Sequence, residues 1–256
     1  LGTAFQADLT VTFAYLKTGM ALFPGALYAG NVQVRDIGIY LRGGVEGPRY
    51  LSYEREDIKT LCPKRGADAH KGTYGRVLMI TGSEGMAGAA ILSASAAYRM
   101  GSGLVRILTP RCNQAVLQAK LPEVIVTPYK EEISRQMETL LDWADVICAG
   151  CGLGMDERTK EVLETLLIYL ENHEKPCVLD ADALNNIAGM EQKKREMLLS
   201  GAGSRLIFTP HVKEFARLLG KTTEETKKSR MGLAQQYAKT YNIYNGSTSS
   251  CTSTDV

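Results

Sequence analysis

AHKGTYGRVLMITGSEGMAGAAILSASAAYRMGSGLV, which occupies residues 69–105, is the stretch of sequence that decides the fold. Residues 76–81 form a short apolar run typical of a buried parallel strand. The glycine-rich run 82–88 follows, and residues 89–100 then have helical composition up to Gly101. A strand that leads through glycines into a helix start favours an anion or nucleotide pocket, because free backbone N–H groups face the ligand. The alternative is a tight turn that binds nothing.

A polar segment, His70-Lys71-Gly72, comes just before the first of these strands. We interpret it as a segment in position to close over a ligand.

Apolar runs and helical stretches alternate regularly after residue 76. The predicted strands are 76–81, 103–108, 123–126, 144–149, 176–179 and 204–208. The predicted helices between and after them are 87–100, 111–120, 131–141, 156–171, 182–199 and 211–219. This alternation predicts an α/β fold with a mostly parallel central sheet and helices on both faces. In such folds ligands bind beyond the carboxyl ends of the strands.

The composition is that of an ordinary globular protein, with 45% hydrophobic and 23% charged residues among 256. The formal net charge of +2 and the scattered basic residues argue against a nucleic-acid partner. No apolar run approaches the ~18 residues of a membrane span. Cys148-Ala-Gly-Cys151 has neither a second such pair nor a nearby histidine. Reduced thiols in a cytoplasmic protein are therefore favoured over a zinc or redox site.

The first 40 residues contain two candidate strands, 7–14 and 31–39, which are too few to fold alone. They are either an N-terminal ribbon of the main domain or the end of a preceding domain, and we favour the second interpretation.

A linker is predicted over residues 41–69, with one short helix over 54–61 that Ser52 caps. The main domain is predicted over 70–244. A serine- and threonine-rich, disordered tail is predicted over 245–256.

Further polar loops follow later strands. The run GCGLG at 150–154 is either a backbone surface for a flat ligand or a simple turn. Asp180 and Asp182 can hold Mg²⁺ or position a phosphate, and Asp182 can also cap the next helix. His211 and Glu214 share a helix face and could meet a ligand together, although a histidine at a helix start is more often a cap.

Taken in order, the motifs between about residues 52 and 240 resemble those of the NAD(P)HX dehydratases, a family of the ribokinase-like superfamily. The matching runs are HKGTYGR (70–76), Gly82, MAGAA (86–90), AAYRMGSGLV (96–105), PE (122–123), GCGLG (150–154), LDADALN (179–185) and TPH (209–211). Each run is weak alone, but their order and spacing are specific. The resemblance implies a ribokinase-like three-layer α/β/α domain.

The front of the chain resembles the last strands of the NAD(P)HX epimerase domain. The matching runs are ADLTVTF (7–13), Lys17, FPGA (23–26) and DIGI (36–39). In bacteria that domain is often fused ahead of the dehydratase. The segments that do epimerase chemistry lie upstream of this chain, so we expect no epimerase activity here and K⁺ only in the missing epimerase domain.

The resemblance implies an ADP-dependent (S)-NAD(P)H-hydrate dehydratase, a hydro-lyase that restores NADH or NADPH from NADHX or NADPHX and releases AMP and phosphate. It implies Mg²⁺ as cofactor and ADP as co-substrate, with ATP as the alternative nucleotide. It also implies small-molecule partners only, no membrane, and a homo-oligomer of the full-length protein.

Site residues are carried over from the family by position. The positions that match NAD(P)HX contacts are Ala89, Gly154 and His211. The positions that match the Mg²⁺ and phosphate side are Asp180, Asp182, Asn185 and Glu214.

The chain departs from the family at two places. Lys213 stands where the family usually has a glycine. The family's Lys-Gly-x-x-Thr element and its Gly-Gly-x-Gly-Asp loop, which supplies the catalytic aspartate, do not appear after residue 240. We therefore expect a truncated domain, incomplete at the C-terminal edge of its sheet, that is inactive or weakly active, and we assign no catalytic residue.

Two other functions stay open at this point. One is a small-molecule kinase of the same superfamily, resembling hydroxyethylthiazole or pyridoxal kinases. The other is a non-catalytic nucleotide-binding module. A dinucleotide dehydrogenase is disfavoured, because the glycine loop lacks G-x-G-x-x-G spacing and no acidic residue ends the strand at 104–108.

Overall fold

The structure is a computed structural model that describes residues 3–39, 55–61, 66 and 68–246. The chain divides into two compact units. One comprises Leu1–Ala67 with Ser249–Val256, and the other comprises Asp68–Thr248.

The first unit contains a pair of parallel strands, β1 (Leu9–Phe13) and β2 (Asn31–Arg35). Both are shorter than the runs in the sequence that predict them. Two short helices, α1 (Thr18–Ala21) and α2 (Ala26–Ala29), connect the strands. A parallel pair requires a crossover of this kind, because a tight hairpin can join only antiparallel strands.

The predicted linker helix is present as α3 (Arg55–Leu61). Its predicted cap, Ser52, lies outside the described residues, as does the whole segment 40–54 that precedes the helix. The predicted tail lies outside them as well, from residue 247 onward.

The second unit is built on a seven-stranded sheet in the order β5-β4-β3-β6-β7-β8-β9. Its strands are β3 (Arg76–Ile80), β4 (Leu104–Thr109), β5 (Ile125–Pro128), β6 (Val146–Ala149), β7 (Cys177–Leu179), β8 (Leu206–Phe208) and β9 (Tyr244–Asn245). Every neighbouring pair is parallel. The predicted fold class is confirmed.

Helices cover both faces of this sheet. They are α4 (Ala87–Arg99), α5 (Gln114–Lys120), α6 (Ile133–Trp143), α7 (Glu157–Glu171), α8 (Asp182–Gly189), α9 (Gln192–Ala202), α10 (Val212–Leu219), α11 (Thr223–Lys228) and α12 (Arg230–Tyr241). Along β3, Leu78 and Ile80 enter a larger core with α6, α7 and α9, whereas Met79 enters a smaller core with α4 and α5. Burial on both faces explains the continuous apolar runs that mark these strands.

The helix predicted over 182–199 is two helices, and that prediction is wrong. The chain leaves the helical conformation at Met190, whose φ of −67° and ψ of 153° are extended, directly after Gly189. Glycine lowers the helix propensity at this point, so the chain can turn before α9 begins.

Helices α11 and α12 were not predicted, although a signal for α11 is present in the sequence. Thr222 accepts a hydrogen bond from the backbone N–H of Glu225, and the Glu225 carboxylate accepts one from the Thr222 N–H. This reciprocal pair is a capping box, which can be recognised from Thr-x-x-Glu.

Within the described residues, none of the helices has the length and apolarity that a membrane span requires.

Lys175 closes the end of α6. Its Nζ donates hydrogen bonds to the carbonyl oxygens of Leu141 (2.7 Å), Asp142 (2.9 Å) and Ala144 (2.8 Å). We expect Lys175→Met to lower the free energy of unfolding by about 2 kcal/mol, because it removes charge-assisted bonds at the negative end of the helix dipole. Urea denaturation measures the change. Lys120→Met, at the exposed last turn of α5, is the matched control, and an equal loss in both variants would contradict the prediction.

Candidate functional site

Four loops suspected from the sequence meet at one edge of the sheet. Strands β3, β6, β7 and β8 are parallel and adjacent, so the segments that leave their carboxyl ends lie side by side. These segments contain the two glycine loops, the Asp180–Asp182 turn and the start of α10 at His211. The expectation that a ligand would meet all of them at the carboxyl edge is therefore consistent with the topology.

The two glycine loops are joined directly. The backbone N–H of Gly82 donates to the carbonyl oxygen of Cys151 at 3.0 Å. A Cβ placed on Gly152 would lie 2.7 Å from the Cβ of Ala89, and one on Gly154 would lie 3.5 Å from the Cβ of Ser83. The structure thus brings the loops that carry Ala89 and Gly154, two predicted substrate contacts, into one surface.

Helix α4 begins at this surface without a capping side chain, since its N-cap residue is Met86. The space around Gly85 and Gly88 is open within 4 Å of an added Cβ. The N–H groups of an uncapped first turn carry the positive end of the helix dipole. This turn is therefore suited to a negatively charged group of a ligand.

Gly154 is held through both of its backbone polar atoms. Its N–H donates to Oδ2 of Asp182 at 2.9 Å, and its carbonyl oxygen accepts from Nδ2 of Asn186 at 2.9 Å. Asn186 is only 3% exposed and also donates to the carbonyl oxygen of Asp182 at 2.7 Å. The loop is consequently fixed to the segment that begins α8.

Sequence reasoning missed Asn186. The signal was its spacing, because a residue four positions after Asp182 lies on the same face of a helix. The run Asn185-Asn186 draws attention to the first asparagine, but the second one faces the glycine loop.

The interpretation of Asp182 as a helix cap is wrong. Helix α8 starts at Asp182 itself, and its N-cap is Ala181, with φ of 49° and no capping side chain. Asp180 bonds locally instead, its Oδ1 accepting from the N–H of Ala181 at 2.8 Å. Its Oδ2 lies 3.9 Å from Sγ of Cys151, and both aspartates are half-buried at the carboxyl edge.

The other two predicted Mg²⁺ and phosphate residues are engaged with protein groups. Oδ1 of Asn185 accepts from Nη1 of Arg217 at 2.6 Å. Oε2 of Glu214 accepts from the backbone N–H of His211 at 2.9 Å. Within the described residues, no group of three or more His, Cys, Asp or Glu side chains could hold a metal ion. Asp180 and Asp182 are the acidic donors that fit Mg²⁺ best, because this ion commonly takes one or two carboxylates together with substrate phosphates.

His211 and Glu214 form a reciprocal cap at the start of α10. Nδ1 of His211 accepts from the N–H groups of Lys213 (3.1 Å) and Glu214 (3.2 Å), while Nε2 lies 3.1 Å from Oε1 of Glu214. Glu214 is 5% exposed, whereas the His211 side chain is 56% exposed. Both ring nitrogens have protein partners. A hydrogen bond from Nε2 to the substrate therefore requires that the contact between Nε2 and Oε1 of Glu214 be broken.

The segment His70-Lys71-Gly72 lies at the other edge of the sheet. It enters a short 3₁₀ turn, Lys71–Tyr74, that precedes β3, and the Tyr74 carbonyl accepts from the N–H of Gly103 just before β4. The turn and this hydrogen bond both lie at the amino ends of the strands. The expectation that this segment closes over a ligand at the carboxyl edge is therefore wrong.

Thiols near the site are held protonated. Burial raises the pKa of the Cys148 thiol to about 12, with smaller effects from Cys151 and Asp180. Burial also raises the pKa of Cys151, and that of the buried Cys177 well above its usual range. A thiol with a raised pKa is a poor nucleophile and metal ligand, which agrees with the preference for reduced, unreactive cysteines.

We expect iodoacetamide at pH 8 to alkylate Cys112 first, because it is the exposed cysteine among the four in the described residues. Since its pKa is about 12, Cys148 should react roughly a thousandfold more slowly than an unperturbed thiol. Peptide mapping by mass spectrometry separates the sites. Equal alkylation of Cys148 and Cys112 in the folded protein would contradict this.

Comparison with known proteins assigns the family. A family model described as NAD(P)H-hydrate dehydratase matches residues 77–244, which include both glycine loops, Asp180, Asp182 and His211. The chain belongs to the NAD(P)H-hydrate dehydratase family. The resemblance read from the ordered motifs is confirmed.

Curated relatives of this dehydratase chain are longer proteins. The bifunctional NAD(P)H-hydrate repair enzyme of Moorella thermoacetica is 36% identical over 93% of this chain and 45% of that protein. The bifunctional repair enzyme of Escherichia coli is 33% identical over 94% of this chain and 44% of that protein. The chain thus spans about 45% of the length of these relatives.

Solved structures share the fold of the dehydratase domain. An ADP/ATP-dependent NAD(P)H-hydrate dehydratase from Bacillus subtilis, co-crystallised with ATP/Mg²⁺, has a TM-score of 0.60 and 26% identity over 76% of this chain and 65% of that one. A ribokinase-like superfamily protein from Enterococcus faecalis has a TM-score of 0.65 and 25% identity over 82% of this chain and 69% of that one.

Proposed function

We propose that this domain carries the dehydratase step of NAD(P)H-hydrate repair, converting NADHX or NADPHX to NADH or NADPH while ADP is split into AMP and phosphate. The observation that carries the proposal is the composite surface of the two glycine loops. Its backbone is fixed by Asp182 and Asn186, and the uncapped start of α4 opens onto it. Family membership favours this reaction over that of a small-molecule kinase.

The proposed reaction has two bond exchanges. The added hydroxyl of the hydrated ring attacks the terminal phosphorus of ADP, and the P–O bond to AMP breaks. The C–O bond of the resulting phosphate ester then breaks while the neighbouring carbon loses a proton, so the ring double bond returns and phosphate leaves. Phosphorylation helps because phosphate is a far better leaving group than hydroxide.

The residues supply binding and orientation in this scheme. Ala89 and Gly154 present a close-packed backbone surface to the hydrated nicotinamide, and the exposed ring of His211 borders the same edge. The first turn of α4 faces the negative charge of the substrate. No catalytic residue is assigned.

Asp180 and Asp182 would hold Mg²⁺, which, when bound, offsets the charge of the nucleotide phosphates. The B. subtilis relative was co-crystallised with ATP/Mg²⁺, which supports nucleotide and Mg²⁺ use here. We propose ADP as the working nucleotide, with ATP as the alternative to be measured beside it.

We also propose that residues 1–40 end an epimerase domain of a bifunctional protein. The lengths and names of the relatives support this proposal. Any K⁺ requirement would belong to that domain rather than to residues 68–246.

The test is recovery of NADH absorbance from purified NADHX in the presence of Mg²⁺ and either ADP or ATP, with a reaction lacking nucleotide as control. The proposal expects recovery that depends on nucleotide and releases one phosphate for each NADH, at the weak rate expected of a chain in which the Gly-Gly-x-Gly-Asp loop does not appear. Binding of the nucleotide without any recovery would favour the non-catalytic module. Phosphorylation of thiazole or pyridoxal alcohols instead would favour the kinase.

A further inference from the structure

A cavity of about 300 Å³ opens beside the first glycine loop and outside the residues assigned so far. Its walls come from the segments that follow β3, β4, β5 and β6. Polar side chains in its lining include Ser83, Glu84, Arg111, Tyr129, Asp156 and Arg158. This volume lies at the lower end of the range, ~300–1,000 Å³, in which small-molecule pockets usually fall.

The cavity borders the proposed substrate surface at Ser83. This residue lines the cavity, and its Cβ lies 3.5 Å from the position of a Cβ on Gly154. The carbonyl oxygen of Ser83 is fixed by Nδ2 of the buried Asn113 at 3.0 Å. A molecule bound over Gly154 would therefore lie next to the cavity, with Ser83 between the two.

Two guanidinium groups line the cavity without an ion-pair partner in the described part of the chain, those of Arg111 and Arg158. Nη1 of Arg158 donates to the carbonyl oxygen of Lys130 at 3.2 Å, which orients the group. The carboxylates of Glu84 and Asp156 line the same cavity but form no ion pair with either arginine in the described residues. Both arginines are exposed to solvent. Paired guanidinium groups of this kind suit a phosphate, which accepts two or more of their N–H donors.

The remaining polar lining is compatible with a phosphorylated sugar. Asp156 uses Oδ1 to accept from the N–H of Thr159 at 2.8 Å as the cap of α7, and Glu84 is exposed on the glycine loop. Burial, with a contribution from Asp156, raises the pKa of the half-buried Tyr129, so its hydroxyl stays a donor at neutral pH. Carboxylates accept hydrogen bonds from ribose hydroxyls, while the tyrosine donates to phosphate oxygen.

We propose that this cavity binds a phosphate group of the dinucleotide substrate, with Arg111 and Arg158 as its charged partners. The inference rests on the proposed function for the identity of the substrate, while the cavity and its charges stand independently. The phosphate has two candidate sources, the bridging pyrophosphate of both NADHX and NADPHX and the additional ribose phosphate that only NADPHX carries.

The test is binding of NADPH and of NADH, the reaction products, followed by nicotinamide fluorescence. The variants are Arg111→Gln, Arg158→Gln and the double variant. Arg99→Gln is the matched control. It makes the same change in charge, but Arg99 is the last residue of α4 and lies at the opposite edge of the sheet. Each cavity substitution should weaken binding about tenfold or more, as expected for a charge-assisted hydrogen bond, while the control leaves it unchanged.

The two phosphate sources give different patterns. Equal weakening for NADPH and NADH identifies the bridging pyrophosphate, and weakening for NADPH alone identifies the additional ribose phosphate. Binding of both products by the double variant as tightly as by wild type overturns the proposal, and so does a wild-type protein that binds neither. Arginine-dependent binding without hydrate turnover would overturn the proposed function and leave the cavity assignment standing. Because both arginines are exposed, unchanged thermal unfolding confirms that the variants are folded.

Discussion

Gly150→Ala should lower the free energy of unfolding by about 3–5 kcal/mol, the sum of overpacking and backbone strain. Gly150 has φ of 125°, a conformation that alanine rarely adopts. An added Cβ would overlap the carbonyl oxygen of Asp180 and lie 2.8 Å from the Cβ of Ala183. These atoms belong to the turn after β7 and to the first turn of α8, so relief requires moving the main chain that positions Asp180 and Asp182.

Urea denaturation of Gly150→Ala and Gly154→Ala measures this effect against a matched control. Gly154 also has positive φ, 87°, but an added Cβ there meets only Ser83, at 3.5 Å. We expect the control to lose about 1–2 kcal/mol from backbone strain alone. The prediction is contradicted if the two variants lose free energies of unfolding that agree within about 0.5 kcal/mol, a typical error of such comparisons. The overlap with Asp180 would then not destabilise the fold.

Asp182→Ala should reduce kcat/KM for the hydrated cofactor by about 10²-fold, the penalty typical of a site displaced by ~1 Å. The substitution removes the acceptor of the Gly154 N–H, which binds Oδ2 of Asp182 at 2.9 Å. The loop 150–154 then loses one of the two bonds that hold Gly154 in place. The substitution also removes one of the two carboxylates proposed for Mg²⁺.

Asp182→Asn separates these two contributions. An asparagine carbonyl can still accept the Gly154 N–H but carries no charge. Rescue of turnover by asparagine would assign Asp182 to loop positioning, and failure of rescue would assign it to the charged ligand. Hydrogen exchange at the Gly154 amide gives a readout independent of turnover. We expect faster exchange in the alanine variant, and turnover within threefold or so of wild type would contradict the prediction.

The central sheet could be predicted because its strands are buried on both faces. Residues 77–80 are apolar throughout for that reason, and Leu78, Met79 and Ile80 are at most 5% exposed. Segment boundaries were less predictable where packing rather than composition decides them. The break at Met190 has only the single Gly189 as a local signal, and the two-residue strand β9 depends on its pairing with β8.

The site was predictable in outline, because parallel strands bring the loops that follow them to a common edge. Which atoms meet there was not. His211 and Glu214 are three residues apart, which fits a ligand pair as well as a cap, and only their burial and distances show the cap. Asn186 was overlooked beside Asn185 because its role depends on a loop 32 residues earlier in the chain.

The hydrogen bonds that hold Gly154 couple the binding of the two ligands. Asp182 accepts the Gly154 N–H on the proposed nicotinamide side of the site, and its carboxylate is also one of the two proposed to hold Mg²⁺. A cation that displaces this carboxylate from the Gly154 N–H would loosen the loop. A substrate that holds the loop in place would keep the carboxylate on that N–H. By thermodynamic linkage the two effects are equal in free energy. The affinity of the hydrated cofactor and that of the cation therefore cannot be tuned independently while they share this one side chain.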